Sequence, residues 1–146
     1  MNVADWLKRI IQGIFIALIA SMNISSAEAK SKYTQEDVQL LAEVIYHENW
    51  HTDSEHLAAY YTGAVVMNRV HCSEWPNTIE GVLYQGGQYS TTKKFYTVKL
   101  PSECYQMAED ILKNGTPDVP ENVIFQSMRP LGEVWKKVNT DYFCFG

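Results

Sequence analysis

The chain has 146 residues, 46% of them hydrophobic, 12% aromatic and 20% charged, with a net charge of −5. That length suits one ordinary domain rather than two, and few charges with many aromatics exclude a disordered chain. Twelve Lys and Arg against seventeen Asp and Glu also exclude a nucleic-acid binder, which must neutralise phosphates.

Residues 1–29 read as a secretory signal peptide. Lys8 and Arg9 supply the positive end, an apolar run follows from Ile10 to Ala20, and Ala27-Glu28-Ala29 gives the small-x-small cleavage pattern. The run is shorter than the roughly 20 apolar residues of a membrane span, so an uncleaved anchor is the lesser alternative and membrane contact is expected only in transit. Cleavage after Ala29 leaves residues 30–146 as a single secreted domain. Secretion permits disulfides, but Cys72, Cys104 and Cys144 are odd in number, so at least one is free or pairs with another chain. Three unpaired thiols acting as small hydrophobes are an equal alternative, and no two sit at zinc-finger spacing.

The first helix is predicted from about Thr34 to about Trp50, with Thr34 and Asp37 as a capping box in which Asp replaces Glu. At about 100° per residue, Leu40, Val44, Leu41, Ile45 and Val38 fill one arc. Glu48 falls near the middle of that arc, aiming a carboxylate where the pattern demands an apolar side chain. A second helix is predicted from Asp53 or Ser54 to about Val70. It has almost no polar face before Asn68-Arg69, which marks it as the buried centre of the domain. A short helix should follow from Thr78, its N-cap, to about Tyr84, ended by Gly86-Gly87. Residues 88–100 alternate polar and β-leaning side chains, predicting a strand or an ordered loop. Another helix begins after Leu100, with Pro101 at its first turn and Gly115 beyond its end, and buries a Cys104, Met107, Ala108, Ile111, Leu112 stripe. Two aromatic-rich runs, Asn122 to Gln126 and Tyr142 to Phe145, flank a segment with Trp135. They are expected to pair as a small sheet, at a separation too long for a tight hairpin. The fold class expected is α+β, mostly helical.

Three readings compete for the segment around Glu48. His47-Glu48-Asn49-Trp50-His51 is a literal H-E-x-x-H, which on a helix binds zinc through its histidines and uses the Glu as base. Its context is poor: the helix should end close to His51, and Glu55 or His56 would have to serve as third ligand from the next element. The second reading is a glycosidase-type general acid, because a Glu on an apolar face is desolvated and holds its proton near neutrality. Against it stands a buried Glu satisfied by backbone donors or by Arg69, and the pattern alone leaves those two open.

The third reading is a family resemblance. Leu40 to Glu48, then the small-residue helix ending Val65-Val66-Met67-Asn68-Arg69-Val70, and above all the block from Trp75-Pro76-Asn77-Thr78 to Tyr84-Gln85-Gly86-Gly87-Gln88-Tyr89-Ser90 resemble the SleB-type cell wall hydrolases, the spore-cortex-lytic enzymes and their relatives. The resemblance runs from about residue 36 to 145. It implies a lysozyme-like fold acting on peptidoglycan glycan strands as a lytic transglycosylase, without cofactor or metal, as a secreted monomer at the cell wall. Glu48 matches the family's catalytic glutamate. One acid suffices there, because it protonates the leaving oxygen and then takes the proton of the muramic acid's own C6 hydroxyl as a 1,6-anhydro ring closes. Attack by water would need a second base or assistance from the substrate; for the base, Asp53, Glu55 and Asp141 are the carboxylates to test.

The resemblance also makes Gln88, Tyr89 and Ser90 the wall of the saccharide groove, with Tyr89 stacking on a sugar ring. The alternative for this segment is a loop that bonds its own backbone. Asn68 and Arg69 are expected to hold the helix end in place. The chain departs from the family pattern in lacking a Gly-Glu pair after Glu48 and in being about two residues longer there. It carries Asn139-Thr140-Asp141-Tyr142 where relatives have Gly-Asn-His, and His47 where they have a small residue. A non-catalytic glycan-binding module on the same fold is the remaining class. With a net charge of −5, binding to an anionic wall must rest on hydrogen bonds and aromatic faces more than on charge.

Overall fold

The first helix, α1, spans Gln35–Asn49, and its start is the capping box read from the sequence. The Thr34 backbone N–H donates to the Asp37 carboxylate at 2.8 Å, and the Asp37 N–H donates to the Thr34 hydroxyl at 3.1 Å. The computed structural model describes residues 32–146, and the expected signal peptide at residues 1–29 lies outside them. Tyr33–Gly146 form one compact unit, an α+β domain of four helices and one three-stranded sheet. No helix among the described residues is long and apolar enough to cross a membrane.

The second helix, α2, spans Leu57–His71, three or four residues later than the cap signals at Asp53 and Ser54 suggest. Asp53 does cap it, but from a distance: its carboxylate accepts from the backbone N–H groups of Leu57 at 2.8 Å, Ala58 at 3.1 Å and Glu55 at 3.2 Å. Desolvation pulls the Asp53 pKa upward, and these three donors outweigh it and hold the carboxyl below its ordinary value. The intervening turn is made by His56 in a left-handed conformation, φ 54°. Its ring stacks on Trp50 at 3.7 Å, and its Nδ1 lies 2.7 Å from the Trp50 carbonyl. These contacts offset the cost of a positive φ in a residue with a Cβ.

As its composition indicates, α2 is the centre. One face packs Ala59, Val66 and Met67 against α1 and its neighbours, and the other packs Ala58, Tyr61, Ala64 and Val65 against Val123 and Phe143 of the sheet. Gly63 lets the helices close up, since a Cβ there would lie 2.6 Å from Ile111 Cδ1 and 3.2 Å from Ile45 Cδ1. The short helix α3, Ile79–Leu83, is capped by the Thr78 hydroxyl, which accepts from Gly81 N–H at 3.0 Å. Helix α4, Ser102–Asn114, buries Cys104, Ala108 and Ile111, with Met107 and Leu112 half-buried. Pro101 is its cap residue rather than part of its first turn.

Residues 88–100 contain no strand. Ser90–Lys94 form a 3₁₀ turn, with loop on either side. The Thr92 hydroxyl donates to the Tyr89 carbonyl at 2.9 Å and the Thr97 hydroxyl to the Lys94 carbonyl at 2.5 Å, so threonines that read as strand formers instead turn their own backbone.

The sheet comprises β1 (Val123–Ser127), β2 (Val134–Val138) and β3 (Asp141–Phe145), in antiparallel order β1-β3-β2. The two aromatic runs pair as expected, Ser127 with Tyr142 and Val123 with Phe145. They are not joined by a tight turn; the Trp135 segment joins them as an edge strand and makes the tight hairpin with β3, Val138 pairing with Asp141 across Asn139-Thr140. Asn139 takes φ 51° there, a conformation that Asn tolerates better than most residues. Its Nδ2 donates to the Thr52 carbonyl at 2.7 Å, which pins the hairpin tip to the loop after α1. Cys72, Cys104 and Cys144 are all free thiols, the last two buried.

Candidate active site

Glu48 lies in the last turn of α1, half-buried, beside the α1–α2 loop. Its Oε1 accepts a hydrogen bond from the Thr91 hydroxyl at 2.5 Å. Burial pushes its pKa above the ordinary 4.5; the Thr91 bond pulls it down, the charge of Asp141 pushes it up, and His47 and Lys94 pull it down. Desolvation dominates, as it must for a carboxyl partly removed from water with no cation bonded to it. The result is an acid that holds its proton to higher pH than an ordinary carboxyl and has a side open to solvent.

Arg69, the partner a purely structural Glu48 would need, is elsewhere. Its Nε donates to the Ile124 carbonyl at 2.7 Å, and its guanidinium lies 4.2 Å from the Trp75 ring centroid and 5.4 Å from that of Tyr89. Asn68 donates to the carbonyls of Pro120 and Val123 at 2.9 and 3.0 Å. Together the two residues fasten the end of α2 to β1, the holding role expected of them.

The sequence pattern did not single out Glu43, yet it is the fully buried carboxylate of α1, 1% exposed. Gln39 Nε2 donates to its Oε1 at 2.9 Å, and His47 Nε2 lies 3.2 Å from its Oε2. His47 therefore faces Glu43, with its ring stacked on Phe95 at 5.9 Å. His51 lies past the end of α1, exposed, edge-on to Tyr46. Only the first histidine of H-E-x-x-H is borne on the helix, because α1 stops at Asn49 as the Thr52-Asp53-Ser54 break foretells. Among the described residues no three His, Cys, Asp or Glu side chains converge as a metal site.

Of the predicted groove residues, Gln88 and Ser90 are exposed and Tyr89 is buried, 7% exposed. Tyr89 takes a different place from the stacking platform expected of it. Its ring lies in the core beneath the Arg69 guanidinium, and its hydroxyl has no hydrogen-bond partner among the described residues. Burial pushes that hydroxyl up to about 12, with Arg69 opposing and Glu48 adding. Tyr89 anchors the start of the 3₁₀ turn, and the side chain this turn delivers to Glu48 is Thr91, one residue beyond the predicted segment. Tyr84, 51% exposed and edge-on to Phe95 at 6.3 Å, and Tyr96, 55% exposed, are the open aromatics on this part of the chain.

Of the three carboxylates to test, Asp53 is committed to capping α2, and Glu55 is exposed in the loop before it. Asp141 belongs to the site: the buried Asn49, next to Glu48, donates to its Oδ2 at 2.7 Å and to the Thr62 hydroxyl at 3.0 Å. Gln126 of β1 donates to the same Oδ2 at 3.2 Å.

A family model described as cell wall hydrolase matches residues 55–142. A spore cortex-lytic enzyme of Bacillus cereus is 29% identical over 76 residues, covering 52% of this chain and 29% of the relative. The chain thus matches less than a third of that relative's length. Among solved structures, the catalytic domain of the Bacillus cereus SleB protein superposes with a TM-score of 0.64 at 20% identity, over 84% of this chain and 99% of that one. The catalytic domain of a germination-specific lytic transglycosylase, SleB from Bacillus anthracis, gives the same score and identity over 77% and 97%. The shared fold is that of these catalytic domains.

Proposed function

The chain belongs to the cell wall hydrolase family, and from that premise we propose that it cleaves the glycan strands of peptidoglycan with Glu48 as its general acid and base. The family match begins at Glu55, beyond Glu48, so the role of Glu48 rests on its setting. A half-buried carboxyl, raised by desolvation and bonded by Thr91, is the observation that carries the reading.

In the first step the Glu48 proton passes to the glycosidic oxygen as the C1–O bond breaks, and the bonding pair leaves with that oxygen. Positive charge is left on C1 and the ring oxygen. In the second, the C6 hydroxyl of the same muramic acid attacks C1 and gives its proton to the Glu48 carboxylate. A 1,6-anhydro ring is formed and the enzyme returns to its starting protonation. One titrating carboxyl serves both steps, and a single copy of the chain supplies it. The exposed Gln88 and Ser90, with Tyr84 beside them, are proposed to line the sugar groove, while the exposed Lys93 and Lys94 give an acidic chain a local basic edge for an anionic wall. Residues 1–29 are proposed to direct export, so that the domain from residue 30 acts outside the cell.

The test is release of soluble fragments from purified peptidoglycan by the full chain, with and without a strong chelator. Release that survives chelation is expected. Loss on chelation would favour a metal enzyme, and binding without release would favour a glycan-binding module.

Thr91→Val checks the setting of the acid. It deletes the one bond that favours ionised Glu48, so the alkaline limb of the kcat/KM profile should move to higher pH. The rate should fall by about tenfold, the usual worth of a hydrogen bond to a charged group.

A further inference from the structure

We propose that Asp141 is the second carboxylate of the reaction, placed to stabilise the positive charge that develops on the sugar as the glycosidic bond breaks; this rests on the glycan-cleaving reading above. Asp141 is the first residue of β3, set by the two-residue Asn139-Thr140 turn whose tip is tied to the Thr52 carbonyl. Its carboxylate is clamped by two amides on one oxygen: Asn49 at 2.7 Å and Gln126 at 3.2 Å both donate to Oδ2. No described residue donates a hydrogen bond to Oδ1. Asn49 is itself immobilised, 2% exposed and bonded to Thr62, whose hydroxyl in turn donates to the Ala58 carbonyl. A carboxylate fixed by amides from α1 and β1, with one oxygen free and the residue half-exposed, is oriented for something outside the protein.

The second line is electrostatic. The Asp141 charge is felt at Glu48 and disfavours its ionisation. The groups around Glu48 are Thr91 and Lys94 from the 3₁₀ turn, the Tyr89 hydroxyl before it, His47 from α1 and Asp141 from β3. Of these, Asp141 is the carboxylate. A helix-borne acid raised by desolvation and a strand-borne carboxylate held by two amide donors stand in one site, in environments that suit them to different roles. An anion oriented in advance is worth more to a developing cation than one that must reorganise.

Asp141→Asn isolates the charge, because an amide oxygen still accepts from Asn49 and Gln126. On short soluble glycan strands of peptidoglycan, the full-length variant should keep its thermal midpoint and lose on the order of 100-fold in kcat, with KM changed by less than about threefold. The alkaline limb of kcat/KM should move to lower pH, opposite to Thr91→Val, since a charge opposing Glu48 ionisation has gone. Asp141→Glu, which displaces the charge without removing it, should be more active than Asp141→Asn. A kcat within about threefold of the parent, an unmoved alkaline limb, or a Glu variant no better than Asn would each overturn the proposal. Activity in Glu48→Gln would strike the underlying reading instead. An inactive Glu48→Gln beside a fully active Asp141→Asn would strike Asp141 alone.

Discussion

Glu48→Gln should release soluble fragments from peptidoglycan at least on the order of 10³-fold more slowly than the parent chain, because the amide neither protonates a leaving oxygen nor accepts the proton of the C6 hydroxyl. The same change should make the folded protein more stable at neutral pH. In the folded state Glu48 binds its proton more tightly than an ordinary carboxyl of pKa 4.5, whereas the unfolded chain returns it to about that value. The folded state therefore binds more protons than the unfolded one between the two values, and stability falls as pH rises through that window. Below about 4.5 both states are protonated and the burden vanishes. Thermal melts should show the Gln variant above the parent at pH 7 and level with it at the acid end. An equal pH dependence for the two proteins would mean that Glu48 is not desolvated. Loss of activity with a gain in stability is the joint signature of a side chain kept for chemistry at the expense of the fold.

Arg69→Ala should have the largest effect on the fold, about 3–4 kcal/mol, against a total of roughly 5–15 for a domain. Arg69 is 4% exposed, and among the described residues no carboxylate pairs with it. Desolvation lowers its pKa, opposed by Tyr89. What holds it is the Ile124 carbonyl on Nε and the rings of Trp75 and Tyr89 near the guanidinium. Truncation strands a buried carbonyl and leaves a hollow between α2, the Trp75 loop and the 3₁₀ turn. Denaturant unfolding should show a clear drop in midpoint. The damage should also reach the site, since Tyr89 anchors the turn that carries Thr91, and activity should fall even where the variant remains folded. A midpoint within about 1 kcal/mol of the parent would show that Arg69 is not the fastener it is taken for.

These two residues also show what the chain discloses in one dimension. The start of α1 is legible because Thr34 and Asp37 meet within one turn, and the α4 stripe is legible because helical burial repeats locally. Glu48 was visible as a polar residue inside an apolar pattern. That pattern overstated its burial, for it is Glu43 that is sealed in the core while Glu48 sits at the helix's open end. The late start of α2 was hidden because Asp53 caps from four residues away, through a left-handed His56 that spacing alone does not announce. Thr91 and Asp141 stand 43 and 93 residues from Glu48 in the chain. The first comes from a turn that read as a strand, the second from a hairpin that lacks the usual glycine. Proximity of that kind is created by packing, so residue type and spacing could nominate Asp141 among three carboxylates but not choose it. The family resemblance named Gln88, Tyr89 and Ser90, and the side chain that this turn brings to Glu48 is the next one along, Thr91.

The central claim is that a single carboxyl both starts and completes the cleavage, and the product records it. Purified peptidoglycan should be digested with the full chain and the soluble fragments weighed by mass spectrometry. Ring closure by the C6 hydroxyl predicts fragments ending in anhydro-muramic acid, lighter by one water than their reducing counterparts, and none above background with Glu48→Gln. Reducing ends throughout, or undiminished release by Glu48→Gln, would contradict the account.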